Sequence, residues 1–404
     1  MSLSLPSHRQ NDAEAPRHAL KTLQGAVAAL SFSILLAGSN ANTPLLPIYR
    51  TLMAFSPLTL SLTFVFYVGS LIFFLSLLSR PSILRWAPAL LGASLLASIL
   101  SDLCMANGSE ATTLFGRALT GIAVGLGTGP AAALVVDAFG MRGRSVSATG
   151  NLVGAVFGTA LSQLAVFQLG GRLAIGAVFH GHALVCGCLC IILAIIFRSM
   201  RHANRRTFGR IDGKAPKVLA SLRANLFPLV SGSIAWIVIS IAITFLPSVF
   251  HESGMQAASA AGIIMLLICC AVCQLGSRQV AALAPWLNGM EAMAAGLALI
   301  LLGAFSGWQS LGLLGFAVTG AGIGIAYRMA LVVLTRGASP NIHGVLSSTY
   351  AAITYAAAAI AVTVVGLVGN GLGLEHVVIG ALVLFGLLSA GLIGNAPRVS
   401  LEQR

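Results

Sequence analysis

The chain has 404 residues, of which 57% are hydrophobic and only 8% are charged, with a formal net charge of +13 and a mean hydropathy of +0.94. A soluble domain carries roughly 25% charged residues, and no water-surrounded core absorbs this much apolar surface, so lipid must be the solvent for most of the chain. The positive charge sits between apolar runs, where topology and anionic headgroups account for it, so nucleic acid is not expected as a partner.

The first 20 residues are polar and lack a short apolar core with a cleavage site, so no removable signal peptide is expected, and 1–24 reads as a cytoplasmic tail. About 20 apolar residues cross the hydrocarbon as a helix. Twelve such stretches follow, at 25–47, 57–79, 87–106, 111–136, 146–169, 174–197, 226–249, 256–276, 288–306, 311–334, 343–369 and 373–395. They are continuously apolar, not alternating, which points to helices and away from a barrel. The basic stretch 198–224, containing Gly209, Gly213 and Pro216, divides them into six-helix halves at 25–197 and 225–395, and 396–404 is a second tail. The expected fold class is an all-α membrane protein with twelve transmembrane helices in two parallel pseudo-repeats.

With the N-terminus inside, 19 of the 23 Lys and Arg fall on the inner side, Arg50 and Arg172 fall outside, and Arg117 and Arg328 lie within spans. That split obeys the positive-inside rule, so both termini are expected in the cytoplasm. The halves also resemble each other at an offset near 199. Thr120-Gly121-x-x-x-Gly125 recurs as Thr319-Gly320-x-x-x-Gly324, Leu46-Pro47 as Leu246-Pro247, and Ser79-Arg80 with Trp86 as Ser277-Arg278 with Trp286. Parallel repeats of this kind place a binding site between the halves.

Taken in chain order, the first span ends in Ser39-Asn40-Ala41-Asn42-Thr43-Pro44, where buried amides need partners and Pro44 and Pro47 free backbone carbonyls. Arg117 in the fourth span is the sharpest site candidate. A charge there costs roughly 2.5–3.5 kcal/mol to insert, so it faces a cavity or a partner, as a proton-linkage or anion-contact group or as a hydrogen-bond hub among the first, second and fourth spans. Asp137 lies roughly 30 Å along the same helix and is expected to pair with Arg80, Arg85 or Arg142 at the cytoplasmic end. Tyr67, Asn151, Gln163, Gln274, Tyr327, Arg328, Tyr350 and Tyr355 are further candidates for a shared cavity with Asn40. Gly121, Gly125 and Gly129, and likewise Gly150, Gly154 and Gly158, share helix faces at spacing four and read as packing surfaces.

Of the ten Asp and Glu, only Glu291 is placed in a span, near the inner end of the ninth, so a proton-carrying group is sought among Asp137, Glu291 and the histidines. His182, Cys186 and Cys190 repeat every four residues in the sixth span, near His180 and Cys188, and Cys269, Cys270 and Cys273 fall in the eighth. Such ligands suit a soft metal. The sixth helix is expected at the periphery and no Cys-x-x-Cys pair flanks a turn, so no metal is expected. No Walker-type sequence, nucleophile–base pair or carboxylate dyad is visible, and neither a cofactor nor an enzymatic activity is expected.

Arg117-Ala-Leu-Thr-Gly121-Ile-Ala-Val-Gly125, with Pro130 and Asp137 beyond it, resembles the helix 4 motif of the major facilitator superfamily. Thr43-Pro44-Leu45-Leu46-Pro47-Ile48-Tyr49, the Tyr67 region and Gly322-x-Gly324-x-Ala326-Tyr327-Arg328 are similar to its bacterial drug- and metabolite-exporter branches. The loop between the second and third spans keeps Arg80 and Arg85 of the family pattern but lacks its acid, and Gly150-x-x-x-Gly154-x-x-x-Gly158 lacks the Pro of the antiporter signature. The resemblance implies a monomeric secondary transporter, placed in a bacterial inner membrane, whose halves rock, with Asp137, Arg80 and Arg85 as a cytoplasmic gate and protons as the coupling ion. It implies export of a small amphipathic molecule. An importer of a small metabolite, or a non-transporting sensor or assembly factor, are the alternatives.

Overall fold

The ends of the helices fall where the local chemistry stops one and caps the next. The computed structural model describes residues 8–78, 86–207, 225–336 and 340–400, with the side-chain surroundings of 8–18, 141–152, 200–207, 340–345 and 348 also outside the description. In order the helices are α1 (His8–Ala41), α2 (Leu46–Leu52), α3 (Pro57–Leu77), α4 (Ala87–Ala106), α5 (Glu110–Phe139), α6 (Met141–Leu169) and α7 (Gly171–Thr207). The second half holds α8 (Leu226–Glu252), α9 (Gln256–Leu275), the short α10 (Ser277–Leu283), α11 (Gly289–Ser306), α12 (Gln309–Leu334), α13 (Pro340–Leu372) and α14 (Leu374–Leu392).

Ser56 opens α3 by accepting from the Thr59 N–H at 3.0 Å, with Pro57 at its first position, where a missing N–H costs nothing. Ser109 caps α5, and Asn288 caps α11 by accepting from the Glu291 N–H at 2.8 Å. Gly140 and Gly170, both at positive φ, let α5 and α6 end in tight turns. The first span is broken: α1 stops at Ala41, a 3₁₀ turn covers Thr43–Leu45, and α2 completes the crossing, as Pro44 and Pro47 require.

Eleven described segments are long and apolar enough to cross a membrane. The apolar stretch Val153–Leu169 of the 29-residue α6 is the twelfth. Large apolar side chains such as Phe73, Phe115, Leu184 and Leu387 cover the outside, as a lipid-facing surface demands. α1 begins at His8, so residues 8–24 of the expected tail are helical.

The duplication extends to individual contacts. A Cβ on Gly121 would meet the Tyr67 carbonyl and one on Gly320 the Leu266 carbonyl; Gly125 lies against Leu71, and Gly324 against Cys270. Each partner is displaced by 199 residues along with its glycine. The same pairings therefore build each half: α3 and α4 pack on α5 as α9 and α11 pack on α12.

Among the described residues the two halves share a continuous apolar core. Leu45, Leu46, Tyr49 and Leu60 share a core with Ile239, Phe245, Leu246 and Val249. At the rim Arg50 Nε donates to Glu252 Oε1 at 2.8 Å, and Arg50 Nη1 to the Phe55 carbonyl at 3.3 Å. A separate cluster, including Leu35, Leu91, Ala123 and Leu193, has all its buried members in the first half, with Tyr355 of the second packed against it.

Candidate functional site

Between the halves lies a cavity of about 240 Å³, walled by α1, α3, α5 and α6 on one side and by α8, α9, α12 and α13 on the other. The broken end of the first span supplies Ser39, Asn40, Asn42 and Thr43, and α3 supplies Thr63, Phe64 and Tyr67. Asn40 is half-buried and donates to the Leu36 carbonyl at 2.9 Å and to Ser39 Oγ at 3.1 Å, which fixes its amide with the oxygen still available.

Arg117 enters from α5. Its Nε donates to the Thr63 carbonyl at 3.0 Å and its Nη1 to the Ser39 carbonyl at 2.9 Å, and its guanidinium lies 4.6 Å from the centroid of the Tyr67 ring. Among the described residues no carboxylate stands within ion-pair distance of it. The side chain therefore ties three helices together, the two carbonyls and the ring face helping to keep a cation in a span ionised, and its charge, uncompensated by a carboxylate, faces the cavity.

The facing wall is aromatic. Trp236 stands 4.9 Å from both Tyr327 and Tyr355, the latter edge-on, and Tyr327 lies 4.9 Å from Tyr350. Tyr350 is in the layer behind, fully buried, its hydroxyl donating to the Tyr327 carbonyl at 3.2 Å. Ser240, Thr244 and Gln274 add polar atoms to the same wall.

Of the residues singled out from sequence, Asn40, Tyr67, Arg117, Gln274, Tyr327 and Tyr355 converge on this cavity. Gln163 and Arg328 are half-buried and are not among its walls. Asn151 and Gly150 lie on α6, but their surroundings, like Arg80, Arg85 and Arg142, fall outside the described residues. The carboxylate of Asp137 is 3.0 Å from Lys21 Nζ. Lys21 stands there because α1 continues as helix past the point where a tail was expected. Gly154 and Gly158 press against the Ser33 and Ala37 carbonyls of α1, whereas a Cβ on Gly129 would meet nothing. Trp236 was not singled out from sequence; its signal is that it is the one Trp of four placed deep within a span.

One correction concerns the acids. Asp102 lies within α4, 4% exposed, so Glu291, which sits in the capped first turn of α11, is not the one carboxylate placed in a span. Asp102 Oδ2 is 2.8 Å from His182 Nδ1 on α7, and His182 Nε2 is 2.8 Å from the Ile34 carbonyl on α1. His182 of the sixth span thus faces α1 and α4, while α7 contributes no residue to the cavity wall. Cys186 Sγ lies 3.7 Å from Nε2, and the Asp102, His182 and Cys186 ligand atoms fall within 4.8 Å of one another, the set of metal-type ligands that converges among the described residues. Both ring nitrogens are already engaged with oxygens, so a metal would have to break one of those bonds to bind the imidazole.

The family profile described as Major Facilitator Superfamily matches residues 27–362. No curated protein matches in sequence. Among solved structures, a bacterial homolog to the human lysosomal transporter Spinster, inward-facing and unoccupied, superposes with a TM-score of 0.72 at 13% identity, covering 95% of this chain and 98% of that one. The nucleoside transporter NupG gives 0.65 at 13% identity, covering 92% and 98%. A D-xylose-proton symporter gives 0.63 at 13%, covering 94% and 98%. At these identities the likeness is one of fold.

Proposed function

This chain belongs to the Major Facilitator Superfamily and is a multi-pass secondary transporter, and from that premise we propose that it exports a small amphipathic solute by proton-coupled alternating access. The observation that carries the substrate class is the asymmetry of the cavity. One wall offers the single cation, two amides and several hydroxyls; the other is built around Trp236 flanked by two tyrosines, with Ser240, Thr244 and Gln274 beside them.

A solute with a planar apolar body and one carbonyl or carboxylate end fits both walls, its polar end toward Arg117 and Asn40 and its ring against Trp236. Aromatic pairs of this kind contribute about 0.5–1.5 kcal/mol beyond area burial. A multiply charged phosphate ester would want several cations, and a single guanidinium does not supply them. The core shared on the Arg50 side, with the cavity beneath it, corresponds to a state closed outward when the positive-inside orientation is applied.

Untargeted mass spectrometry of cells and medium tests this reading on a deletion strain, the same strain complemented, and a Trp236→Ala form. A ring-bearing compound held inside the deletion strain, and returned to the medium by the intact protein but not by Trp236→Ala, is the expected result. Depletion inside the deletion strain, with the compound left in the medium, turns the proposal into import.

A further inference from the structure

Resting on the transporter reading above, we propose that Asp102 and His182 form a buried proton-binding site joining α1, α4 and α7, and that release of its proton frees α7 from α1. The hydrogen bonds themselves count the protons. A backbone carbonyl only accepts, so the 2.8 Å contact from His182 Nε2 to the Ile34 oxygen places a proton on Nε2. The 2.8 Å contact between Nδ1 and Asp102 Oδ2 needs one more proton, on either atom. The pair therefore holds one proton more than a neutral imidazole beside a carboxylate, and in that state it is neutral overall, which suits its place in lipid.

When that proton leaves, the pair becomes a net anion and one of the two bonds fails. Either Nδ1 and Oδ2 face each other with lone pairs, or, in the other tautomer, Nε2 faces the Ile34 carbonyl with one. The ring has little room to adjust. It lies flat against Gly38, where an added Cβ would overlap Cε1, Nε2 and Nδ1. The charge-assisted bond from Nδ1–H to the Asp102 carboxylate is the stronger of the two and is kept, so Nε2 loses its proton to face the Ile34 carbonyl and relief comes from separation of α7 from α1.

The contact is connected to the cavity by a single turn of helix. Ile34 and Gly38 bracket the ring, and the next residue, Ser39, gives its carbonyl to Arg117. A shift of α1 at Ile34 therefore moves an Arg117 ligand about 7.5 Å farther along the same helix. Asp102 lies four residues, about 6 Å of rise, from the nearer end of α4.

The fold does not need a polar pair at this place. At the repeat offset Asp102 and His182 correspond to Leu301 and Ala381, and these belong to the apolar packing of α11 and α14 in the second half. No other group among those facing the pair accounts for it. On α7, Cys186 lies beside the ring and His180 bonds the Gly176 carbonyl. On α1 the pair meets a carbonyl and a glycine. On α5, which packs on α4, Glu110 accepts from Thr59 and Arg117 is committed to Ser39 and Thr63.

The test is NMR of the full-length protein in lipid nanodiscs, with ring nitrogens of histidine and carboxyl carbons of aspartate labelled, titrated between about pH 5 and 9. His182→Gln assigns the His182 signals, and Gly38→Ala, which displaces the ring, assigns them independently. The expected result is a proton shared across Nδ1 and Oδ2 at low pH, lost as pH rises together with a change at the Asp102 carboxyl, and a different midpoint or none for the ring in Asp102→Asn. A His182 ring that keeps one state across the whole range, or that titrates identically in Asp102→Asn, overturns the proposal. The spectrum requires no solute. A titrating pair in a chain that moves nothing leaves the site standing without the export reading, and a static pair beside active transport does the reverse.

Discussion

Arg50 and Glu252 are 202 residues apart in sequence, lie on different halves, and meet at 2.8 Å at the rim where the two halves share a core. Both are partly exposed, so the pair contributes little to folding, about 0–1 kcal/mol. It is nevertheless an ion pair that must break when the halves part on this side. Two states separated by a few kcal/mol respond several-fold to a change of that size. Glu252→Gln is expected to leave thermal stability within about 1 kcal/mol of wild type and to raise alkylation of the cavity cysteine, Cys270, by an impermeant maleimide from the Arg50 side. Unchanged labelling, read by peptide mass spectrometry, removes the pair from the gating equilibrium.

Lys21 and Asp137 offer the contrasting case. Their 3.0 Å pair joins α1 to the end of α5, inside one half. Helices that move as one body keep such a contact throughout the cycle. Asp137→Asn is therefore expected to cost at most about 1 kcal/mol of stability and to leave Cys270 labelling unchanged from both sides. Increased labelling from the Lys21 side would instead show that Asp137 is part of a gate.

Arg117 combines two roles that its variants separate. Removing the guanidinium deletes two charge-assisted hydrogen bonds to the Ser39 and Thr63 carbonyls, each worth about 1.5–3 kcal/mol. Arg117→Ala is expected to insert, to melt several degrees lower in detergent, and to transport at background. Arg117→Lys keeps the charge but not the planar fork. It is expected to recover part of the stability and little of the transport. Transport near wild type in Arg117→Lys would show that only the charge matters.

The spans, their order and the internal duplication were legible because each follows from a local property: run length, apolar continuity and a repeated glycine pattern. The cavity was half legible. Asn40, Tyr67, Arg117, Tyr327 and Tyr355 stand out as polar atoms in apolar runs, whereas Trp236 reads as one more apolar residue until the tyrosines around it are seen. The Asp102–His182 contact was not legible. His182 and Cys186 advertise a helix face, but the acid that completes it is 80 residues away on another helix, and sequence spacing carries no information about which faces of α4 and α7 meet. Lys21 escaped for a related reason, since nothing in the polar stretch 1–24 marks that the helix of the first span includes it.

The glycines yield a comparison within one helix layer. Gly158 brings α6 onto α1 so closely that a Cβ would overlap the Ala37 backbone carbonyl, and backbone on both sides leaves no flexible atom to give way. Gly158→Ala must push α6 off α1, an overpacking cost of about 1–3 kcal/mol. Gly129 has the same spacing in its own helix, yet a Cβ there meets nothing within 4 Å. Gly129→Ala is expected to be neutral, or stabilising by up to about 1 kcal/mol, because glycine loses more backbone freedom in a helix than alanine. Thermal unfolding of the two variants in the same detergent checks this. Equal effects would mean that α1 and α6 accommodate the methyl by sliding, and that the close approach at Gly158 is not what holds the first half together.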